Sequence, residues 1–135
     1  LLGEAVIFPQ GDPTKRFPYI RKQALQLPSK ARFIAVQFER YFGTTLWKDI
    51  ADHTLSMAKV LSESLALFPE ITLSYPVQSN AVFAQIPKAW VKPAREHYFF
   101  YVWDPAKTEV RLMTSFDTQI EDIQGLASAF ASLES

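Results

Sequence analysis

One stretch of the sequence predicts a strand, then a polar turn, then a helix: Val110-Arg111-Leu112-Met113-Thr114-Ser115-Phe116-Asp117-Thr118, followed by Glu121-Asp122-Ile123. Apolar residues surround one arginine, and the polar run after them ends the strand. Thr118 with Glu121 three residues later is a capping-box pattern, which predicts that a helix begins there. A guanidinium presents paired donors that match the two oxygens of a carboxylate. Arg111 is therefore the main candidate for a carboxylate-binding residue.

The C-terminal half around this stretch has the pattern of a small sheet. Strands are predicted at residues 71–75, 81–86, 98–103 and 109–115, with a hairpin turn at 104–107. A short helix is predicted at 87–96, with Pro93 limiting its length. The helix after Thr118 places one apolar face toward the sheet, formed by Ile120, Ile123, Leu126, Ala127 and Phe130.

The N-terminal half is predicted to be mainly helical. A strand is expected at residues 4–8, and a helix at 14–27 that Pro18 interrupts and Pro28 ends. Ser29 is expected to cap a second helix that stops at Gly43. Thr44 or Thr45 is expected to cap the longest helix, 46–68. Its apolar stripe is made of Trp47, Ile50, Ala51, Thr54, Met57, Ala58, Leu61, Leu65 and Phe68. The predicted class is α+β: a small, mostly antiparallel sheet covered by helices on one face.

Composition excludes several classes of function. Fourteen basic residues balance fourteen acidic ones, so nothing favours nucleic acid or an anionic membrane as a partner. No apolar run reaches the ~18 residues of a membrane helix. The absence of cysteine removes disulfides and thiolate sites and fits a reducing compartment, so we expect a cytoplasmic protein. His53 and His97 are far apart in sequence, and no metal site is expected.

The candidate residues also have ordinary explanations. Arg111 could be solvated, or paired with Glu109 or Asp117, since surface ion pairs are common. A basic cluster, composed of Arg21, Lys22, Lys30 and Arg32, is usually a solvated face. His53 lies beside the apolar stripe and is expected to be half-exposed.

Five blocks, in the right order, resemble the low-specificity threonine aldolases, which are pyridoxal-phosphate lyases of the aspartate-aminotransferase fold. They are Leu2-Gly3-Glu4-Ala5-Val6-Ile7-Phe8; Arg21-Lys22-Gln23-Ala24 with Gln26-Leu27-Pro28-Ser29-Lys30-Ala31-Arg32-Phe33-Ile34-Ala35; Ala51-Asp52-His53-Thr54-Leu55-Ser56-Met57-Ala58; Ser79-Asn80-Ala81-Val82-Phe83; and Val110-Arg111-Leu112-Met113-Thr114-Ser115-Phe116-Asp117. Together they span nearly the whole chain.

The resemblance implies cleavage of a β-hydroxy amino acid, typically threonine, to glycine and an aldehyde. A lysine holds the cofactor as a Schiff base, and Arg111 binds the substrate carboxylate. Lys22, Lys30 and Arg32 become candidates for the cofactor or interface region. Members are usually homotetramers built from dimers, so a homo-oligomer, either dimer or tetramer, is expected.

The family's Schiff-base lysine is expected upstream of Leu1, so no catalytic residue is expected within the chain itself. We therefore expect the C-terminal portion of a fold-type I enzyme, inactive alone. Residues 1–42 would be the last part of the large cofactor-binding domain, and residues 43–135 would form the small domain. Most of the large domain would lie outside this chain. The alternatives are transamination or β-elimination on the same fold, or a non-catalytic α+β interaction domain. Arg111 does not discriminate between the enzymes, because each needs a carboxylate-binding arginine.

Overall fold

The computed structural model describes residues 3–9 and 15–134 of the chain. The described helices are α1 (Phe17–Gln23), α2 (Ala31–Phe42), α3 (Leu46–Leu65), α4 (Lys88–Arg95) and α5 (Ile120–Ala131). The described strands are β1 (Thr72–Leu73), β2 (Ala81–Gln85), β3 (Tyr101–Asp104) and β4 (Glu109–Met113). The chain divides into two units, Leu1–Trp47 and Lys48–Ser135, and the sheet belongs to the second.

The four strands form one antiparallel sheet in the order β1-β2-β4-β3. Strand β4 lies in the middle, so Arg111 is opposite Phe83 on one side and Tyr101 on the other. Residues 105–108 connect β3 to β4, and Asp104 Oδ1 accepts a hydrogen bond from the Ala106 N–H, as in the predicted hairpin turn. The α+β class and the antiparallel sheet predicted from the sequence are confirmed.

One face of the sheet forms the core of the second unit. Val82 and Ala84 of β2 and Val110 and Leu112 of β4 are buried, as the period of two in a half-buried strand requires. The same core cluster includes residues of α3, α4 and α5: Met57, Ala58, Leu61, Leu65, Trp90, Ala94, Ile123, Leu126 and Phe130. The predicted covering of one sheet face by the long helix and the last helix is therefore correct.

The apolar stripe of α3 is buried over its central and C-terminal turns. Met57, Ala58, Leu61 and Leu65 are in the core, whereas the first predicted member, Trp47, is 46% exposed. The helix also ends at Leu65 and not at residue 68. Periodicity predicts which residues share a face, but it cannot tell how far along the helix the sheet extends.

Several local predictions were wrong. The N-cap residue of α2 is Lys30 and not Ser29, and no side chain caps that helix. Residues 4–8 form no strand, because a strand needs a backbone partner and the described sheet contains none for them. Pro18 is the second residue of α1 and does not interrupt the helix, since a proline in the first turn removes no helical hydrogen bond. The cap of α5 is Gln119 with Asp122, one residue after the predicted pair, because the Thr118 hydroxyl accepts a bond from the Ser115 N–H.

The first unit buries little apolar surface. Neither α1 nor α2 contains a buried residue. Large side chains exposed in this unit are Val6, Ile7, Phe8, Tyr19, Ile20, Leu25, Leu27, Phe33, Val36 and Phe42. An apolar surface of this kind is typical of segments that pack on further protein.

Among residues 3–9 and 15–134, no helix combines the length and apolar character needed to span a membrane.

Candidate functional site: an arginine on an aromatic sheet face

The sheet face opposite the core carries a group of aromatic rings, which we call the aromatic face: Tyr75, Phe83, Tyr101 and Trp103, with Arg111 among them. Residue alternation explains its position, because the neighbours Val110 and Leu112 point into the core and Arg111 must point away. Tyr75, Tyr101 and Trp103 are exposed, and the arginine between them is half-buried.

Two rings of β3 lie against the Arg111 guanidinium. Its Cζ is 4.9 Å from the centre of the Trp103 ring and 5.3 Å from that of Tyr101. Both distances are within the ~6 Å over which a ring attracts a cation. The rings therefore hold a positive charge at a defined place on the sheet.

The rings are braced by further aromatic contacts. Phe83 meets Trp103 edge-on at 5.6 Å between centres, and Tyr75 meets Phe83 in the same way at 5.7 Å. Phe99 supports Tyr101 at 5.0 Å. Edge-to-face pairs of this kind are favourable and restrict ring orientation.

Arg111 lacks a counter-ion in the part of the chain that the structure describes. Within the described residues, no carboxylate is at ion-pair distance from it. The alternatives from sequence, pairing with Glu109 or Asp117, are therefore wrong. Asp117 instead accepts a hydrogen bond from the Ser115 hydroxyl, because the turn after β4 folds back on itself.

Two buried polar atoms lack partners among the described residues: Oγ of Ser74, the residue after β1, and Nε of Arg111 on β4. The Ser74 N–H donates to the Phe83 carbonyl at 2.9 Å, which places these two residues on either side of the same β2 position. A buried donor without an acceptor is costly unless something else satisfies it. The geometry and charge at Arg111 suit an anion with two oxygens.

The end of β4 is fixed by hydrogen bonds that the sequence did not reveal. The Thr114 hydroxyl donates to the Thr54 carbonyl at 2.7 Å, and Asn80 Nδ2 donates to the Thr114 carbonyl at 2.8 Å. His53, half-exposed as predicted, places Nε2 2.9 Å from the Thr118 carbonyl. These bonds hold α3 against the strand that carries Arg111.

The other predicted site residues lie in the first unit. Lys22, Lys30 and Arg32 are all exposed, and Arg32 lies over the Phe33 ring at 5.1 Å. Nothing in their contacts assigns them a ligand. In the described ranges, no cluster of three or more acidic or histidine residues could hold a metal ion.

Trp103 is the residue that sequence reasoning missed at this site. The sequence places it only within the predicted strand 98–103, whereas in the structure its side chain is 56% exposed on the aromatic face. The available signal was the hairpin: pairing β3 with β4 across the turn at 104–107 places Tyr101 and Trp103 on the same face as Arg111.

Two curated relatives match the chain over most of its length. It is 34% identical over 126 residues to the low specificity L-threonine aldolase of Pseudomonas aeruginosa, which covers 93% of this chain. It is 30% identical over 127 residues to the low specificity L-threonine aldolase of Pseudomonas sp., which covers 94%. The chain spans only 36% and 37% of the length of these relatives. No family model matches.

A solved structure of Leishmania major threonine aldolase shares the fold, with a TM-score of 0.80 over 92% of this chain and 36% of that one, at 24% identity. The predicted resemblance to the low-specificity threonine aldolases is confirmed by these similarities in sequence and fold.

Proposed function

We propose that this chain is the C-terminal portion of a pyridoxal-phosphate-dependent lyase that cleaves β-hydroxy amino acids, with threonine giving glycine and acetaldehyde. Both curated relatives are named low specificity L-threonine aldolase, and the chain covers 36% and 37% of their length. The observation that supports a role for this part of the enzyme is Arg111: among residues 3–9 and 15–134 its buried Nε has no hydrogen-bond partner and its charge has no counter-ion.

Arg111 binds the substrate carboxylate in this proposal. Its in-plane donors match both carboxylate oxygens, and the rings of Tyr101 and Trp103 hold it without using those donors. A carboxylate fixed at this point restricts rotation of the amino acid about the bonds of its α-carbon. The breaking Cα–Cβ bond can then be held in one orientation, and orientation contributes much of an enzyme's rate.

Pyridoxal phosphate, when bound, supplies an electron sink for the pair released from the Cα–Cβ bond. The exposed cations Lys22, Lys30 and Arg32 have the donor chemistry that a phosphate or an acidic interface needs. We assign Arg111 to the substrate carboxylate, whose two oxygens its paired donors match.

The rest of the enzyme is also part of the proposal. Residues 1–42 would belong to the large cofactor-binding domain and 43–135 to the small domain. The exposed apolar residues of α1 and α2 support packing on further protein, either the large domain or a second copy in a dimer or tetramer. We place the enzyme in the cytoplasm. Transamination or β-elimination would use the same arginine, but the relatives' names favour aldol cleavage.

A direct assay tests the proposal. A protein that contains this chain and the remaining family length, called the full-length enzyme below, should release glycine and acetaldehyde from L-threonine when pyridoxal phosphate is added. The 135-residue chain alone should release neither. Aldehyde is measured by coupled reduction, with a cofactor-free sample as control. If the full-length enzyme transaminates threonine, or the chain alone cleaves it, the proposal is wrong in that respect.

A further inference from the structure

Strand β3 contains an irregularity next to Arg111. Tyr101 pairs with Arg111 and Val102 with Val110, but the next residue of β4, Glu109, pairs with Asp104. Trp103 is thus an extra residue with no partner opposite it, which defines a β-bulge. Bulges re-aim side chains and are frequent beside active sites.

The bulge residue makes the closest ring contact to the cation. The Trp103 ring centre is 4.9 Å from Arg111 Cζ, closer than that of Tyr101 at 5.3 Å. Indole is also the side chain that attracts a cation most strongly. Phe83, opposite Arg111 on β2, braces the indole at an interplanar angle of 73°.

Core packing does not account for this tryptophan, because more than half of its surface is exposed. No carboxylate of the described residues forms an ion pair with Arg111, and an aromatic ring has a physical advantage over a carboxylate as its neighbour. An internal carboxylate would occupy the guanidinium's paired donors and compete with a substrate carboxylate. A ring attracts the charge and leaves those donors available.

We propose that Trp103 is a positioning residue for Arg111: the indole on the β3 bulge orients the guanidinium for the substrate carboxylate. This inference rests on the proposed function. The tryptophan touches the arginine and acts through it. Loss of the indole should therefore mainly raise KM, since a misoriented guanidinium weakens binding of the substrate in the ground state and the transition state alike.

The test uses the full-length enzyme with Trp103→Leu and Trp103→Phe. Trp103→Leu should lower kcat/KM for L-threonine about five- to thirtyfold, mostly through a higher KM. Trp103→Phe keeps an aromatic face and should recover most of the loss. The control is Leu67→Ala, since Leu67 is a large exposed side chain (80%) that follows α3 and lies outside the aromatic face. It should change kcat/KM less than about twofold.

A double-mutant cycle separates positioning from general damage. If Trp103 acts through Arg111, Trp103→Leu should cost less than about twofold when Arg111 is already alanine. An equal loss in both backgrounds would overturn the proposal. If Trp103→Leu does not fold, the cycle is run with Trp103→Phe, whose smaller loss should also disappear without Arg111. If Arg111→Ala leaves kcat/KM unchanged, the proposed carboxylate role of Arg111 is wrong. If Arg111→Ala lowers kcat/KM but the Trp103 variants do not, only the inference about Trp103 is wrong.

Discussion

Arg111→Ala should lower kcat/KM for L-threonine in the full-length enzyme by about one to two orders of magnitude or more. Hydrogen bonds to charged groups contribute ~1.5–3 kcal/mol net, and the proposed contact has two of them. Arg111→Lys should recover only part of the loss, because an ammonium is a point charge that cannot match both carboxylate oxygens in one plane. Steady-state kinetics on the three proteins measures these ratios.

Cofactor affinity is the control for this substitution. Arg111 is assigned to substrate and not to the phosphate, so pyridoxal phosphate should bind the wild type and Arg111→Ala with nearly equal affinity. A loss of cofactor binding that parallels the loss of activity would move the arginine to a different role. An unchanged threonine cleavage rate, within about a factor of two, would remove it from the mechanism.

Leu61→Ala should destabilise the chain by about 2–5 kcal/mol. Leu61 is 4% exposed at the centre of the α3 stripe, in the cluster that includes Val82 and Phe130. Removing its three terminal carbons loses apolar burial and leaves a cavity among side chains that cannot fully collapse. Urea denaturation of the 135-residue chain, followed by far-ultraviolet circular dichroism, gives the change in free energy of unfolding.

The matched control for this change is on the same helix. Leu55 is 43% exposed, so Leu55→Ala removes the same atoms from a site that buries far less of them. Its cost should be below about 1 kcal/mol, partly because alanine is the better helix former. Equal costs at residues 55 and 61 would mean that the helix does not pack on the sheet through the face described.

Local signals predicted much of this fold because the interactions that decide it are local. The hairpin turn after Asp104, the stop of α2 before Gly43 and the stripe from Met57 to Leu65 each depend on residues within one or two turns. The strand predicted at residues 4–8 failed for the opposite reason. A strand exists through its neighbour, and nothing in an apolar run says whether that neighbour is present.

The site was predictable only as a single residue. Arg111 was identified from its own chemistry, but its surroundings depend on strand pairing across the sheet. The register that places Tyr101 opposite it, and the bulge that adds Trp103, are set by contacts between strands. The hydrogen bond from Thr114 to the Thr54 carbonyl spans 60 residues and carries no local signal. The sequence also allowed an ion pair between Arg111 and either Glu109 or Asp117, and the structure contains neither pair.

The most direct test of the central claim compares two ligands that differ only at the carboxyl group. Glycine and glycinamide share the amine, and glycine is the expected product. Inhibition of L-threonine cleavage gives the affinity of each for the full-length enzyme. Wild type should prefer glycine by about tenfold or more, and Arg111→Ala should lower that preference to near one. An Arg111→Ala enzyme that keeps the wild-type preference for glycine would show that the carboxylate is held elsewhere.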